Sequence, residues 1–387
     1  MNTPETPIYL DYAATTPTDP EVAAAMLPHL SGPLSLGNAS SIHRFGRQAR
    51  AAVDEARDAV ARLIQADYAE LYFTGSGTEA DNLALIGAMQ SAPAGRDHLV
   101  VSAIEHHAVL HTAHYLQTQG YAVTTVPCNS EGLVSPEAVA EAITDRTALV
   151  SIMHANNEIG TLQPIADFAR IAHARGAKFH TDAVQSAGML PVDVKALDCD
   201  LLSLCAHKIY GPKGAGALYI RQGMKISPQL HGGAQEREKR AGTENVAALV
   251  GFGKAAELSS TRRDADSAHL IEMRDLFLTL LRADIPDLIL NGHPTLRLPN
   301  NVNVSVPGAE GTTLLMNLDR KGVAASSGSA CSSGSLEPSH VLKAIGLADT
   351  LASSGVRFSL GRTTTDTELV QTAEIFAAIV HRLRRPR

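Results

Sequence analysis

Between about residues 47 and 221, segments with helical periodicity alternate with short apolar segments typical of β-strands. RQARAAVDEARDAVARLI (47–64) places apolar side chains at helical spacing, whereas ELYFTG (70–75) is a short apolar run that ends at glycine. The strand-like pattern recurs in HLVVSA, ALVSIMH, AKFHTDA, DLLSLCA and GALYI. This alternation predicts an α/β fold with a mostly parallel central sheet. Because such sheets bind ligands beyond the carboxyl ends of their strands, the polar residues that close each strand are the candidate site residues.

The alternation stops at SSTRRDADS (259–267), a polar stretch that predicts a linker. Beyond it we expect a helix over about 268–283, a strand at NVNVSV, another helix, a strand at VRFSL and a last helix. Thr365 and Glu368 fit a capping box for that last helix. We therefore predict a large α/β domain over residues 14–261 and a smaller α+β domain formed by residues 1–13 and 262–387.

Composition indicates a globular protein of the cell interior. The chain has 387 residues, 44% of them hydrophobic and 19% charged, which is enough to bury a substantial core. A net charge of −7 gives no reason to expect nucleic acid as the main partner. The sequence has four cysteines and no CxxC pair, so their number and spacing do not indicate a disulfide framework. With no signal peptide at the amino terminus and no apolar run of roughly 18 residues, we expect a cytoplasmic, soluble protein.

A glycine-rich turn in TGSGTEADNLALIGAM (74–89) joins a strand to a helix. Main-chain amides at the start of the helix, with the hydroxyls of Ser76 and Thr78, provide a cradle for a phosphate. The turn also matches the relaxed GxGxxA pattern of dinucleotide-binding proteins, so an NAD-dependent oxidoreductase is an alternative. No acidic residue closes a following strand about 20 residues further on, as ribose binding requires. We therefore favour a phosphate cradle.

Asp182 and Lys208 each close a predicted strand. A carboxylate at the end of AKFHTDA can hold a pyridine nitrogen protonated, although it can equally cap the next helix. A lysine at the end of SLCAHK can form a Schiff base with an aldehyde, although a single lysine in such a position is usually only solvated. The phosphate cradle, the carboxylate and the lysine together fit one cofactor, pyridoxal 5'-phosphate (PLP), better than three unrelated structural roles.

His106, just after the strand HLVVSA, supplies an imidazole that can stack on a cofactor ring and move protons. His107, His111 and His114 share one helical face, so a metal site is an alternative. No cysteine or second histidine pair completes that set nearby, and we expect no metal.

These residues lie within a series of motifs that occurs in a fixed order. The series is LDYAATTP, SIHRFG, the phosphate loop, NNEIG, DAVQSAG, HKIYGPKG, HGGAQE, RAGTENV, SSGSACSSGSLEPSHVL and RFSLGR. From about residue 7 to 385 the chain resembles the cysteine desulfurases of the NifS/IscS group, which are class V, fold-type I PLP enzymes. HKIYGPKG and SGSAC are highly specific for that group, whereas GSGTEA is not.

The resemblance implies roles for individual residues. Lys208 binds PLP covalently and later moves protons, Asp182 pairs with the pyridine nitrogen, and His106 stacks over the ring. The further positions that match the family's cofactor and substrate contacts are Asn157 and Gln185 at the phenolic oxygen, Gly77, Thr78 and His207 at the phosphate, Thr243 at the phosphate of the neighbouring subunit, and Arg357 at the substrate carboxylate. Asn157 also matches a substrate contact. Thr243 implies a homodimer with shared sites.

Cys331 matches the family's nucleophile, whose thiolate takes sulfur from L-cysteine and leaves L-alanine and a persulfide. The resemblance implies a sulfur-acceptor protein, either an iron–sulfur scaffold of cluster assembly or a tRNA-thiolation protein, and no direct contact with nucleic acid or membrane. Cys205 stands where the family commonly has a phosphate-binding serine, and a thiol is a weaker donor. The chain ends at Arg387, soon after the last predicted helix, so docking of a scaffold on a longer tail is not expected.

Three other functions fit parts of the sequence. Another class V aminotransferase or lyase would keep PLP and leave Cys331 without a role. An NAD oxidoreductase would explain only GSGTEA, and a sulfur-carrier subunit without turnover would not explain why Lys208, Asp182 and His106 occur together. Desulfuration of L-cysteine accounts for all of these features.

Overall fold

The computed structural model describes residues 6–327 and 338–384. The strands are β1 (Ile8–Tyr9), β2 (Leu71–Thr74), β3 (His98–Ser102), β4 (Ala122–Val126), β5 (Thr147–Ser151), β6 (Lys178–Asp182), β7 (Leu201–Cys205), β8 (Gly216–Ile220), β9 (Ile289–Leu290), β10 (Asn301–Ser305), β11 (Val323–Ala324) and β12 (Gly355–Ser359). The α-helices are α1 (Pro20–Leu30), α2 (Arg44–Leu63), α3 (Gly77–Gln90), α4 (His107–Thr118), α5 (Pro136–Ala142), α6 (Ile165–Ala174), α7 (Val246–Asp284), α8 (Gly311–Arg320), α9 (His340–Ala344), α10 (Asp349–Ala352) and α11 (Asp366–Leu383). Short 3-10 turns lie at Pro33–Leu36, Tyr68–Glu70, Ala206–Lys208 and Gln235–Glu238.

A seven-stranded sheet with the order β2-β8-β7-β6-β5-β3-β4 forms the centre of the molecule. Strands β7, β6, β5, β3 and β4 pair in parallel, and β8 runs antiparallel to both of its neighbours. The predicted α/β fold with a mostly parallel sheet is therefore confirmed. The sequence reading did not include β4, because this edge strand (AVTTV) is only half-buried over most of its length and lacks a continuous apolar run.

The linker predicted at residues 259–267 is wrong, because α7 runs through this stretch as one helix of 39 residues. The stretch contains no glycine or proline to end a helix. It is polar because α7 passes from one apolar core to another at this point. Leu258 packs in the core around the large sheet, whereas Leu270 packs in the core beneath β10 and β12. A helix segment between two cores buries little, so its periodicity is lost.

Two small sheets lie on the core beneath β10 and β12, which we call the second core. β10 pairs antiparallel with β12 and β9, and β1 pairs in parallel with β11. The side chains of Ile8 and Leu10 near the amino terminus are buried in this second core. The predicted capping box is present at the start of α11, where the side chain of Thr365 and that of Glu368 each accept the other's main-chain N–H.

A buried ion pair covers the open edge of β2. Both guanidinium Nη atoms of Arg57 lie 2.6 Å from the carboxylate oxygens of Glu236, and both side chains are 3% exposed. Glu236 also accepts the main-chain N–H of Phe73 (2.8 Å), and Arg57 donates to the carbonyl of Leu71 (2.9 Å). The pair thus satisfies main-chain groups that an edge strand would leave unpaired.

The chain next to this pair is strained. Glu236, Arg237 and Glu238 have φ angles of 46°, 52° and 63°, in the left-handed region that non-glycine residues rarely adopt. Such residues persist only where their surroundings fix them. The ion pair to Arg57 and the guanidinium of Arg237, which lies 4.0 Å from the ring centroid of Tyr72, provide that constraint.

Among the described residues, no helix combines the length and apolar character needed to cross a bilayer.

Candidate active site

A cleft of about 280 Å³ opens at the carboxyl ends of the central strands. Its walls include ten of the residues predicted from the sequence, which are Gly77, Thr78, His106, Asn157, Asp182, Gln185, Cys205, His207, Lys208 and Arg357. Nine of them come from strand ends, loops and helix starts around the large sheet, and Arg357 comes from β12 of the second core. The polar side chains at the carboxyl ends of the strands therefore line one shared cleft.

The amino end of α3 forms one wall of this cleft. Ser76 caps the helix by accepting the N–H of Glu79 (3.1 Å), and Gly77 and Thr78 are the first helical residues. A Cβ on Gly77 would lie 2.8 Å from a methyl carbon of Val184, so only glycine allows this close approach. The first amides of the helix, together with the positive end of its dipole, suit a bound phosphate.

Asp182 lies on the floor of the cleft at the end of β6. One of its carboxylate oxygens accepts the N–H of Val184 (2.8 Å), which leaves the second oxygen to act as an acceptor toward the cleft. Burial raises the pKa of Asp182, whereas the Val184 N–H and the ammonium of Lys208 oppose that rise. A cationic N–H in the cleft would oppose it further and favour the carboxylate.

The amine of Lys208 reaches the cleft from the turn after β7. Its Nζ donates to the main-chain carbonyls of Ala13 (2.5 Å) and Ala14 (2.7 Å). The amide of Gln185 donates to the same Ala13 carbonyl (3.0 Å). The segment near the amino terminus therefore orients the lysine through main-chain oxygens, so no side chain in it signals this role.

His106 caps α4 and lines the cleft as a neutral imidazole. Its Nδ1 accepts the N–H of Ala108 (3.1 Å), which places the ring proton on Nε2. Burial, and then the nearby charge of Lys208, lower the pKa of His106 to about 4. The ring is therefore uncharged at neutral pH. The neighbouring His107 stacks with His111 and His340, with ring centroids 4.8 Å and 4.7 Å apart.

Cys205 and His207 also line the cleft, and a Cβ on Gly77 of the α3 cradle would lie 3.6 Å from the Cβ of Cys205. Burial raises the pKa of the Cys205 thiol to about 12, so the thiol stays protonated. His207 Nδ1 lies 3.1 Å from the hydroxyl of Thr15, and burial lowers the pKa of His207 to about 4. Both groups are therefore neutral, and the wall around the cradle gains no charge from them.

One predicted residue in the described part of the chain, Thr243, is exposed on the loop before α7 and does not line this cleft. Cys331 lies outside the described residues. The sequence analysis named the hydroxyl of Ser76, which also lines the wall, but missed five other residues of it, which are Ala13, Ala14, Asp81, Met153 and Val184. Asp81 could have been found, because it lies one helical turn after Gly77 on α3 and faces the same side.

The buried carboxyl group of Glu105 makes the stability of the folded protein depend on pH. It accepts the N–H of Met153 (2.9 Å) and the hydroxyl of Ser102, and burial raises its pKa to about 8. The folded chain therefore keeps a proton that the unfolded chain loses above pH 4.5. This contribution to stability is complete at low pH and is lost as the pH rises toward 8.

We expect the free energy of unfolding of the apoprotein to fall by roughly 1 kcal/mol between pH 7 and 8 on this account. Glu105→Gln should remove that decline, because the amide mimics the neutral acid. Denaturant unfolding at several pH values measures it, with the exposed Glu137→Gln as the control. If the free energies of unfolding of the wild type and of Glu105→Gln change with pH in parallel, the decline is not caused by Glu105.

The donors of the cleft fit PLP. The molecule needs an amine for its aldehyde, an acid for its ring nitrogen and N–H donors for its phosphate. Lys208, Asp182 and the start of α3 offer these in one cavity, and the glycine at position 77 leaves room that a Cβ would fill. The residues present are therefore suited to hold the cofactor.

Comparison with known proteins agrees with this chemistry. Residues 8–371 match the family model "Aminotransferase class-V". The chain is 49% identical to the cysteine desulfurase IscS of Dictyoglomus turgidum over 377 residues, covering 97% of this chain and 95% of that protein. It is also 49% identical to the cysteine desulfurase IscS of Methanosarcina thermophila, covering 99% and 94%. A solved NifS-like protein superposes with a TM-score of 0.91 at 33% identity, covering 97% of this chain and 100% of that one.

Proposed function

The chain belongs to the cysteine desulfurases of the class-V aminotransferase family, and from this premise we propose that it converts L-cysteine to L-alanine with PLP and passes the sulfur to Cys331. One observation carries the proposal. Lys208, Asp182, the α3 cradle and Arg357 converge on a single cleft, although they lie up to 280 positions apart along the chain (357 minus 77). An amine, an acid, a phosphate cradle and a carboxylate-binding arginine together match an amino-acid substrate and a PLP cofactor.

The residues that would hold the cofactor are those described above. Lys208 would bind it covalently, Asp182 would pair with its ring nitrogen, and Gly77, Thr78, Cys205 and His207 would surround its phosphate. When bound, PLP withdraws electrons from the α-carbon of an attached amino acid. His106, neutral at physiological pH, would lie against the ring, with Asn157 and Gln185 near its phenolic oxygen.

The chain's own residues would then bind and deprotonate the substrate. Arg357 would hold the carboxylate with its guanidinium, a task suited to a planar group with several N–H donors. Asn157, whose main-chain carbonyl accepts a hydrogen bond from Arg357 (2.9 Å), would contact the same substrate beside it. The amine of Lys208, held by the carbonyls of Ala13 and Ala14, would accept the proton from the α-carbon and return one to the product.

The sulfur step is a transfer between two thiols. The Cys331 thiolate would form an S–S bond with the substrate sulfur while the bond from that sulfur to the β-carbon breaks. The electron pair of the broken bond remains on the β-carbon, which takes up a proton to complete L-alanine. Cys331 then carries the sulfur as a persulfide, with no external oxidant or reductant needed.

We expect Cys331→Ala to abolish sulfide release while the protein keeps its yellow PLP colour, because the thiol acts only after the cofactor is bound. The test mixes the holoprotein with L-cysteine and a reducing thiol and measures alanine and sulfide, which should appear in equal amounts with the wild type. The half-buried Cys128, outside the cleft, provides the matched control Cys128→Ala.

The products distinguish the other functions. Mercaptopyruvate in place of alanine would indicate an aminotransferase, and pyruvate released with ammonia and sulfide would indicate a lyase. Unchanged sulfide release by Cys331→Ala would contradict the role of this thiol. A colourless protein that binds no PLP would contradict the cofactor assignment itself.

The quaternary structure, partners and location extend the proposal. Exposure of Thr243 outside its own cleft supports a homodimer in which this residue reaches the phosphate of the neighbouring subunit. A sulfur-acceptor protein, of iron–sulfur assembly or of tRNA thiolation, would take the persulfide sulfur in the cytoplasm.

We also propose residues 14–261 as the cofactor domain and residues 1–13 with 262–387 as the smaller domain, which agrees with the two apolar cores on either side of the middle of α7.

A further inference from the structure

The chain around Asp11 runs beside β12, the strand that carries Arg357. Asp11 and Ser359 form a parallel bridge, in which the N–H of Tyr12 donates to the Ser359 carbonyl (3.2 Å) and the N–H of Ser359 donates to the Leu10 carbonyl (2.8 Å). These bonds fix the main chain of Asp11 close to Arg357, although 346 positions separate the two residues along the chain.

Two nitrogens of the Arg357 guanidinium are held in place. Its Nη2 donates to a carboxylate oxygen of Asp11 (2.8 Å), and its Nη1 donates to the main-chain carbonyl of Asn157 (2.9 Å). The arginine side chain is 3% exposed and that of Asp11 is 19% exposed. The third nitrogen, Nε, is buried and has no acceptor among the described residues. Each Nη carries two N–H groups, so the fixed guanidinium keeps donors for a ligand in the cleft that Arg357 lines.

We propose that Asp11 is a positioning and selectivity residue for the substrate carboxylate, acting through Arg357. This inference rests on the proposed role of Arg357 as the carboxylate clamp. The carboxylate of Asp11 keeps the buried guanidinium from being an isolated charge and fixes its plane. It also repels a second carboxylate, so a simple organic anion gains little by binding at Arg357. A substrate held at its amino group as well is bound despite that repulsion, which makes the clamp selective for amino acids.

The test uses Asp11→Asn and the inhibition of L-cysteine turnover by propionate, which has the carbon skeleton of alanine but no amino group. Without the fixed charge, propionate should bind more tightly, and its inhibition constant should fall roughly tenfold. The kcat for L-cysteine should fall by about tenfold, because the guanidinium loses its orientation. Tighter anion binding combined with slower turnover is a change that a loss of folding would not produce.

Asp97→Asn is the matched control, because Asp97 makes an exposed bidentate pair with Arg146 far from the cleft and should leave the inhibition constant unchanged. Arg357→Gln should raise the inhibition constant, and adding Asp11→Asn to that variant should lower kcat no further, because the guanidinium that Asp11 orients is gone. If Arg357→Gln raises the constant but Asp11→Asn leaves it unchanged, or if Asp11→Asn lowers kcat equally in both backgrounds, only the inference about Asp11 is wrong. If Arg357→Gln leaves the inhibition constant of propionate unchanged, the proposed role of Arg357 in binding the substrate carboxylate is wrong as well.

Discussion

Replacing Lys208 with alanine should reduce the conversion of L-cysteine to alanine by at least about 10³-fold while the protein remains folded. The lysine supplies both the amine for the covalent bond to PLP and the base that moves the substrate proton, so one change removes two functions. Folding should survive because Gln185 still donates to the Ala13 carbonyl that Lys208 also contacts. Alanine formation and circular dichroism measure the two expectations.

Lys213→Ala is the matched control, because Lys213 is exposed and lies five positions further along the same turn. Borohydride reduction of the holoprotein followed by peptide mass analysis should attach PLP to the peptide of Lys208 in the wild type and in Lys213→Ala. The same treatment should label no peptide in Lys208→Ala. Attachment at another lysine, or turnover near the wild-type rate in Lys208→Ala, would contradict the assignment.

Replacing Arg57 with methionine should lower the free energy of unfolding by about 3–5 kcal/mol. The change leaves the carboxylate of Glu236 buried without its partner, at the point where it also accepts the N–H of Phe73. Glu236 is also the first of three consecutive residues with positive φ, and these residues lose a contact that fixes them. Denaturant unfolding of the apoprotein measures the loss.

The double variant Arg57→Met with Glu236→Gln should recover most of the loss. The glutamine carries no charge and can still accept the Phe73 N–H, so the penalty of an unpaired buried charge disappears. Arg146→Leu, at the exposed pair with Asp97, should cost less than about 1 kcal/mol and serves as the control. A single Arg57 variant as stable as the wild type, or a double variant no more stable than the single one, would show that the buried charge is not the cause.

The sequence predicted those helices whose apolar side chains recur at helical spacing and those strands that form short apolar runs. Strands β3, β6 and β7 could be recognised in the sequence as short strands, and the side chains at or just after their ends line the cleft. His106, Asp182 and Lys208 could therefore be found from their positions at strand ends. Arg357 lies inside a strand of the second core, where no local pattern marks it. Only the resemblance to a family assigned that residue to the site.

Features that depend on long-range contact left no local signal. The carbonyls of Ala13 and Ala14 act through the main chain, and their side chains do not reveal it. The pairing of Asp11 with Arg357 joins positions near the two ends of the chain. The polar middle of α7 has the composition of a loop because it lies between two cores, and only tertiary structure shows that it stays helical.

This unbroken helix limits how the two walls of the cleft can move. Lys208 and Asp182 lie on elements that pack around the core at one end of α7, and Arg357 lies on β12, which packs on the core at the other end. At 1.5 Å per residue the helix is about 58 Å long, and no flexible joint interrupts it. A hinged swing of one wall against the other would have to bend this rod and break its hydrogen bonds. We therefore expect the distance between the lysine and the arginine to change little when the substrate binds.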